Sequence, residues 1–116
     1  MLPPFIEGLP ALDIPFPEHV VSARAVRSGH ALVVFFTFHS DVELPTHSHG
    51  PQWGTLVQGQ VTLTIGGVTQ VKRPGETWDI PDGVPHSVHI TAGSVVIDVF
   101  AEPDRYPLRD ESGNDD

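Results

Sequence analysis

Two stretches, Leu44-Pro45-Thr46-His47-Ser48-His49 and Gly75-Glu76-Thr77-Trp78-Asp79-Ile80-Pro81-Asp82-Gly83-Val84-Pro85-His86, carry the strongest signal in the chain. The first is β-like. Side chains alternate along an extended backbone, so the imidazoles of His47 and His49 share a face while Ser48 points away. That spacing suits two ligands of one cation. Gln52 follows three residues after His49, and the second stretch delivers His86 directly after the turn Pro81-Asp82-Gly83-Val84-Pro85. The chain has seven histidines and no cysteine. A disulfide framework, a zinc finger, an iron-sulfur cluster and thiol catalysis are therefore excluded, and a metal would rest on His, carboxylate or amide groups.

Working outward, the chain reads as short β-rich runs. They are Val20 to Arg27, Ala31 to Phe38, Gly54 to Gln58, Val61 to Ile65, Val68 to Val71, Glu76 to Ile80, Ser87 to Ile90 and Ser94 to Ala101. Turn signals separate them, among them Ser28-Gly29, Gly66-Gly67, Pro74-Gly75 and Ala92-Gly93. No window holds a 3.6-residue period. Val61, Leu63 and Ile65 alternate with Thr62 and Thr64, and Gly66-Gly67 then turns the chain into Val68, which predicts a hairpin with a primed turn. Ala31 to Phe38 is apolar on both faces, as expected of a central strand covered on both sides. The pattern is all-β, a sandwich or a barrel.

With 116 residues and 12.6 kDa, the chain fits one domain that leaves roughly 6,200 Å² exposed. Residues 1 to 17 contain five prolines, which predicts no helix and an extended arm lying on the domain or on a second subunit. Its apolar Phe5, Ile6, Leu9, Leu12, Ile14 and Phe16 cannot form a core alone. The division expected is thus an arm over 1–17, a barrel or sandwich over 18–109, and an acidic, disordered tail over 110–116. Four of the fifteen acids lie in that tail, and the net charge of −9 becomes −5 without it. An acidic surface with scattered basic residues excludes nucleic acid as a partner. No apolar run approaches a membrane span and no leader pattern is present, so a cytoplasmic protein is expected.

The two histidine stretches resemble the cupin superfamily. Its second motif is met by Gly75, Pro81, Asp82, Gly83 and His86, and its first by His47, His49 and Gly59, with Gln52 at the Glu or Gln ligand position. Three positions depart from the family pattern. Asp41 stands where a glycine is usual, Ile90 replaces an asparagine, and only two residues separate His49 from Gln52. The resemblance implies a double-stranded β-helix barrel of jelly-roll type, often a homodimer, with a metal inside held by His47, His49, Gln52 and His86. Three neutral imidazoles and an amide leave the charge of a divalent ion uncompensated, so such a site attracts anions and acts as a Lewis acid. Donors of this kind suit Ni, Fe, Mn, Cu or Zn.

Asp98 lies in Ser94-Val95-Val96-Ile97-Asp98-Val99-Phe100, on one face with Val96 and Phe100. An acid among apolar residues is either a proton-transfer group or a structural hydrogen-bonding partner. The stretch Asp98 to Arg105 also resembles small cupins that linearise unsaturated uronates. That likeness implies Asp98 as acid or base, with Phe100 and Arg105 binding substrate, although Arg105 falls one residue late. Trp53 and Trp78 wall a pocket or pack in the core or an interface. Arg24 binds a carboxylate if it faces inward and is otherwise an exposed strand residue, while His89 falls on the outer face. The leading expectation is a metal-dependent enzyme acting on a small, sugar-acid-like substrate. An iron dioxygenase and a non-catalytic metal- or sugar-binding module are the alternatives.

Overall fold

The computed structural model describes residues 2–109; the expected acidic tail, 110–116, lies outside the described residues. After a one-turn helix α1 (Pro4–Glu7) come nine strands: β1 (Val21–Arg27), β2 (Leu32–Phe38), β3 (Val42–His47), β4 (Gln52–Gln58), β5 (Val61–Ile65), β6 (Val68–Lys72), β7 (Thr77–Ile80), β8 (His86–Ile90) and β9 (Val95–Phe100). They form two antiparallel sheets, one ordered β1-β2-β9-β4-β7 and the other β3-β8-β5-β6. The chain repeatedly crosses from one sheet to the other after β2, which gives the jelly-roll barrel. Alternate residues face the space between the sheets. In β2, Leu32, Val34, Phe36 and Phe38 are buried, as are Val61 and Leu63 in β5. At the β5–β6 hairpin Gly66 and Gly67 have φ of 56° and 85°, the pair of positive angles a type I′ turn demands.

Three sequence expectations change. The segment around the histidines is a full strand, β3, so the count is nine where eight runs were read. The arm does contain a helix. Pro4 stands at its first position, where the missing N–H costs nothing, and the helix stops after one turn. Finally, the second face of β2 is only partly covered by the described residues: Val33, Phe35 and Thr37 are half-buried, and Trp53 nearby in the same sheet is 43% exposed.

The rest of the arm lies along the edge of its own barrel. Leu12 N donates to Ala23 O at 3.1 Å and Ala25 N to Pro10 O at 2.9 Å, while on the other side Asp13 N donates to Pro107 O and Arg109 N to Ala11 O. Residues 10–13 therefore run between β1 and the C-terminal segment and cover the open edge of the five-stranded sheet. Arg24 and Arg109 both pair with Glu18, at 3.0 and 3.2 Å, and Arg24 also donates to Glu7 O. Burial pushes the Glu18 carboxyl up, but the two arginines outweigh it and hold it below its ordinary value. No helix among the described residues is long and apolar enough to cross a membrane.

Leu12 is fully buried in the common core with Ile14 and Phe16 packed against it, so the arm is part of the folding unit. Leu12→Ala is expected to lower unfolding stability by about 2–5 kcal/mol, the range for a leucine truncated in a core. Urea denaturation of the two proteins measures it.

Candidate metal centre

Strict alternation along β3 would put Val42, Leu44 and Thr46 inward and His47 outward. The register shows otherwise. Val42 pairs Ile90, Glu43 pairs His89 and Leu44 pairs Val88, but His47 pairs His86, so one extra residue lies between Leu44 and His47. The bulged span includes Pro45, which cannot donate to a ladder, on an edge strand where a bulge is tolerated. It reverses the parity and brings His47 over His86. His49 follows beyond the strand end, and its carbonyl accepts Gly83 N at 2.9 Å, tying the first histidine stretch to the turn that precedes His86.

The three rings cluster, with centroids 4.3 Å apart for His47–His86, 4.8 Å for His49–His86 and 5.3 Å for His47–His49. Each Nδ1 lies 2.8–2.9 Å from a backbone carbonyl: His47 on Pro45 O, His49 on Gly50 O and His86 on Val84 O. A carbonyl only accepts, so each Nδ1 carries the proton and each Nε2 keeps its lone pair. His86 Nε2 is buried with no partner. The ligand nitrogens lie within 4.8 Å of one another. Burial, with smaller contributions from His47 and Arg105, holds the pKa values of His49 and His86 below the ordinary imidazole value, which favours the neutral form a metal needs. The donor set therefore fits one divalent transition metal.

Gln52 opens β4 and faces the same cavity. Its side chain hydrogen-bonds the Asp98 carboxylate and stabilises it. An amide does this with its NH₂, which leaves its carbonyl oxygen as a donor for an ion. Asp98 is buried, and Trp78 Nε1 donates to its Oδ1 at 3.2 Å. Burial pushes the Asp98 carboxyl up to about 6, against the opposing hydrogen bonds from Gln52 and Trp78. Between these two residues in the sheet lies Gly54, paired with Asp98 on β9 and with Trp78 on β7. A Cβ there would overlap both Asp98 Oδ1 and Trp78 Nε1, so the glycine opens the gap their hydrogen bond crosses.

Phe100 packs 5.7 Å from the His49 ring and 5.9 Å from Tyr106. Arg105 lines the cavity after a turn in which its N–H donates to Glu102 O, and its guanidinium sits 4.6 Å over the Tyr106 ring. Its Nε is buried without a partner. Two residues here were not singled out in the sequence. Tyr106, the chain's one tyrosine, lines the cavity, and burial pushes its hydroxyl up. Glu102 accepts Gly50 N at 3.1 Å and steadies the loop carrying His49. The remaining candidates lie elsewhere: Trp53 is on the outer face, Arg24 is bound to the arm, and His89 is outside near Asp41 and Glu43. Asp41, at the position of the family glycine, accepts Ala92 N at 2.8 Å.

Two antiparallel sheets closed around a cluster of three imidazoles define a jelly-roll barrel with a histidine metal site. Residues 34–100 match the cupin domain family, and the chain belongs to it. An RmlC-like cupin from Shewanella frigidimarina NCIMB 400 is similar in structure, with 22% identity, a TM-score of 0.70, and coverage of 91% of this chain and 90% of that one. KdgF from Halomonas sp. is similar with 22% identity and a TM-score of 0.67, covering 87% and 89%. A variant of Bacillus subtilis oxalate decarboxylase has 20% identity and a TM-score of 0.66, over 85% of this chain and 29% of that longer one. These likenesses establish the fold. No curated protein matches the chain.

A pH prediction follows from Asp98. Its native pKa, about 6, lies above the ordinary 3.8, so between those values the native state binds more protons than the unfolded chain. Its contribution to stability is then greatest below pH 4 and is lost as pH rises through 6, by ~3 kcal/mol. Urea midpoints of metal-free wild type and Asp98→Asn, measured at pH 4 and 7.5, should show the variant gaining on wild type as pH rises.

Proposed function

We propose that this cupin is a metal-dependent enzyme acting on a small substrate that carries a carboxylate beside a carbonyl or hydroxyl oxygen, the grouping found in sugar acids. One observation carries the reading. Three imidazoles with their free nitrogens turned together share a cavity with a protonatable carboxyl, Asp98, and with an arginine whose buried Nε has no partner. His47, His49 and His86 would hold one divalent transition metal, with the Gln52 carbonyl as a fourth donor. When bound, the ion supplies Lewis-acid polarisation of a substrate oxygen.

The chain's own groups do the rest. Asp98, with a pKa of about 6, takes up and gives back a proton near neutral pH. Trp78 and Gln52 hold that carboxyl in one orientation by their hydrogen bonds. Arg105 binds the substrate carboxylate, its guanidinium plane set by stacking on Tyr106. Phe100 walls the site beside His49 and excludes water. The likeness of the Asp98–Arg105 stretch to uronate-linearising cupins supports an acid group beside an oxygen substituent at this end of the cavity.

The enzyme would work as a homodimer. A second copy covers the outer face of the five-stranded sheet, because β2 carries Val33 and Phe35 there, an apolar second face left half-buried by the described residues. Sedimentation at micromolar concentration should give a dimer for wild type and a monomer for Val33→Glu; a wild-type monomer overturns this assembly.

The activity test compares metal-loaded wild type, His86→Ala and Asp98→Asn on a panel of unsaturated uronates and other hydroxy and oxo acids. His86→Ala should lose the metal by elemental analysis. Asp98→Asn should keep fold and metal yet turn over ~10² more slowly, the scale of a lost general acid or base. Unchanged turnover in Asp98→Asn, or oxygen uptake that depends on iron, removes the proton-transfer reading.

A further inference from the structure

The cavity, about 390 Å³, has its chemistry at one end. His47, His49, Gln52, His86, Asp98, Arg105 and Tyr106 line it there, where β3 and β9 finish and β4 and β8 begin. Away from that end the register of the strands gives the lining in order. On β8 the inward side chain changes from His86 to Val88 to Ile90, on β3 from His47 back to Leu44 and Val42, and on β9 from Asp98 to Val96. The four residue steps from His86 to Ile90 span about 13 Å of strand. Phe36, Phe38, Val61 and Leu63 wall this part, and Ile14 and Phe16 of the arm line it as well. Among the described residues, no polar side chain lines the cavity beyond the level of Asp98 and Trp78.

A sugar ring carries hydroxyls on every side, and a hydroxyl moved from water to an apolar wall without a partner costs about 1–3 kcal/mol. Such a ring suits the polar end alone. A cavity of 150 Å³ lined by apolar side chains holds a benzene ring, so 390 Å³ accommodates an acid end and an aromatic ring together. We infer that the substrate is amphipathic: a 2-oxo or 2-hydroxy acid whose polar end lies at the histidines and Arg105, and whose aryl or branched alkyl body fills the apolar end between Leu63, Val88 and the arm. This rests on the functional reading above for the polar end only; the apolar end is argued from its own lining.

Calorimetric titration of the nickel-loaded protein with three probes tests it: 3-phenyl-2-oxopropanoate, pyruvate and galacturonate. Pyruvate has the same acid end without the ring, and galacturonate has an acid on a polyol. The phenyl acid should bind at least tenfold tighter than either. Leu63→Phe, which fills the apolar end, should abolish that advantage while leaving pyruvate affinity unchanged, and retained pyruvate binding certifies the fold. Val88→Phe, at a half-buried position, is a second filling variant with the same expected result. Equal affinity for the three probes, tightest binding of galacturonate, no binding of any probe, or a phenyl advantage that survives both filling variants overturns the inference. In His86→Ala, a retained phenyl advantage over pyruvate upholds the apolar end even if acid binding proves independent of the metal, which would instead sink the functional reading.

Discussion

A β-strand lets only alternate side chains face one way, and the extra residue between Leu44 and His47 is how β3 meets two demands that alternation sets against each other. Val42 and Leu44 must face the core, and three residues after Leu44 His47 must face it too. Without the bulge Thr46 would oppose His86 and His47 would face outward. Pro45 is well placed for this break, because it has no N–H to withhold from the neighbouring strand. The histidine cluster follows from it. His47 meets His86 across the strands, its Nδ1 reaches back to Pro45 O, and the chain leaves the strand in position to bring His49 to the same point.

A second constraint operates on the opposite wall. Asp98 is an acid in a row of three strands whose middle member, Gly54, has no side chain. The absence lets Trp78 reach across and donate, and Gln52, two residues earlier on the same strand, reaches the same carboxylate. Neither hydrogen bond offsets burial completely, since the pKa still rises to about 6. A group left at that balance changes protonation near neutral pH, whereas a carboxylate paired with a full cation would stay ionised. Arg105 faces the same cavity but is not among the groups that shift Asp98.

The strands and the histidines were legible because both are written in local spacing. The alternation of Val61, Leu63 and Ile65, the Gly66-Gly67 turn and the two-residue interval of the histidines need no knowledge of the rest of the chain. What escaped depends on partners distant in sequence. β3 was read only in part because Pro45 interrupts its pattern, and the meaning of that proline emerges only beside β8. Gly54 looks like a weak point in a strand until Asp98 and Trp78 stand on either side of it. Arg105, one residue late against the family pattern, still lines the cavity because it follows a turn, where spacing is less strict than in a strand. Tyr106 carried no signal beyond being Arg105's neighbour. The helix in the arm was missed because prolines were counted without regard to position, and proline at the first helical residue is favourable.

The arm joins stability to the shape of the site. Leu12 is buried in the core, and two and four residues later Ile14 and Phe16 line the cavity. The same segment is held at its edges by backbone hydrogen bonds to β1 and to residues 107–109, and at Glu18 by Arg24 and Arg109. One short stretch therefore covers a sheet edge, completes the core and lines the apolar part of the cavity. An interior emptied of side chains forfeits the contacts that would have filled it. Here that cost falls where the arm supplies compensating burial, so the barrel can keep an open apolar interior and remain one folding unit.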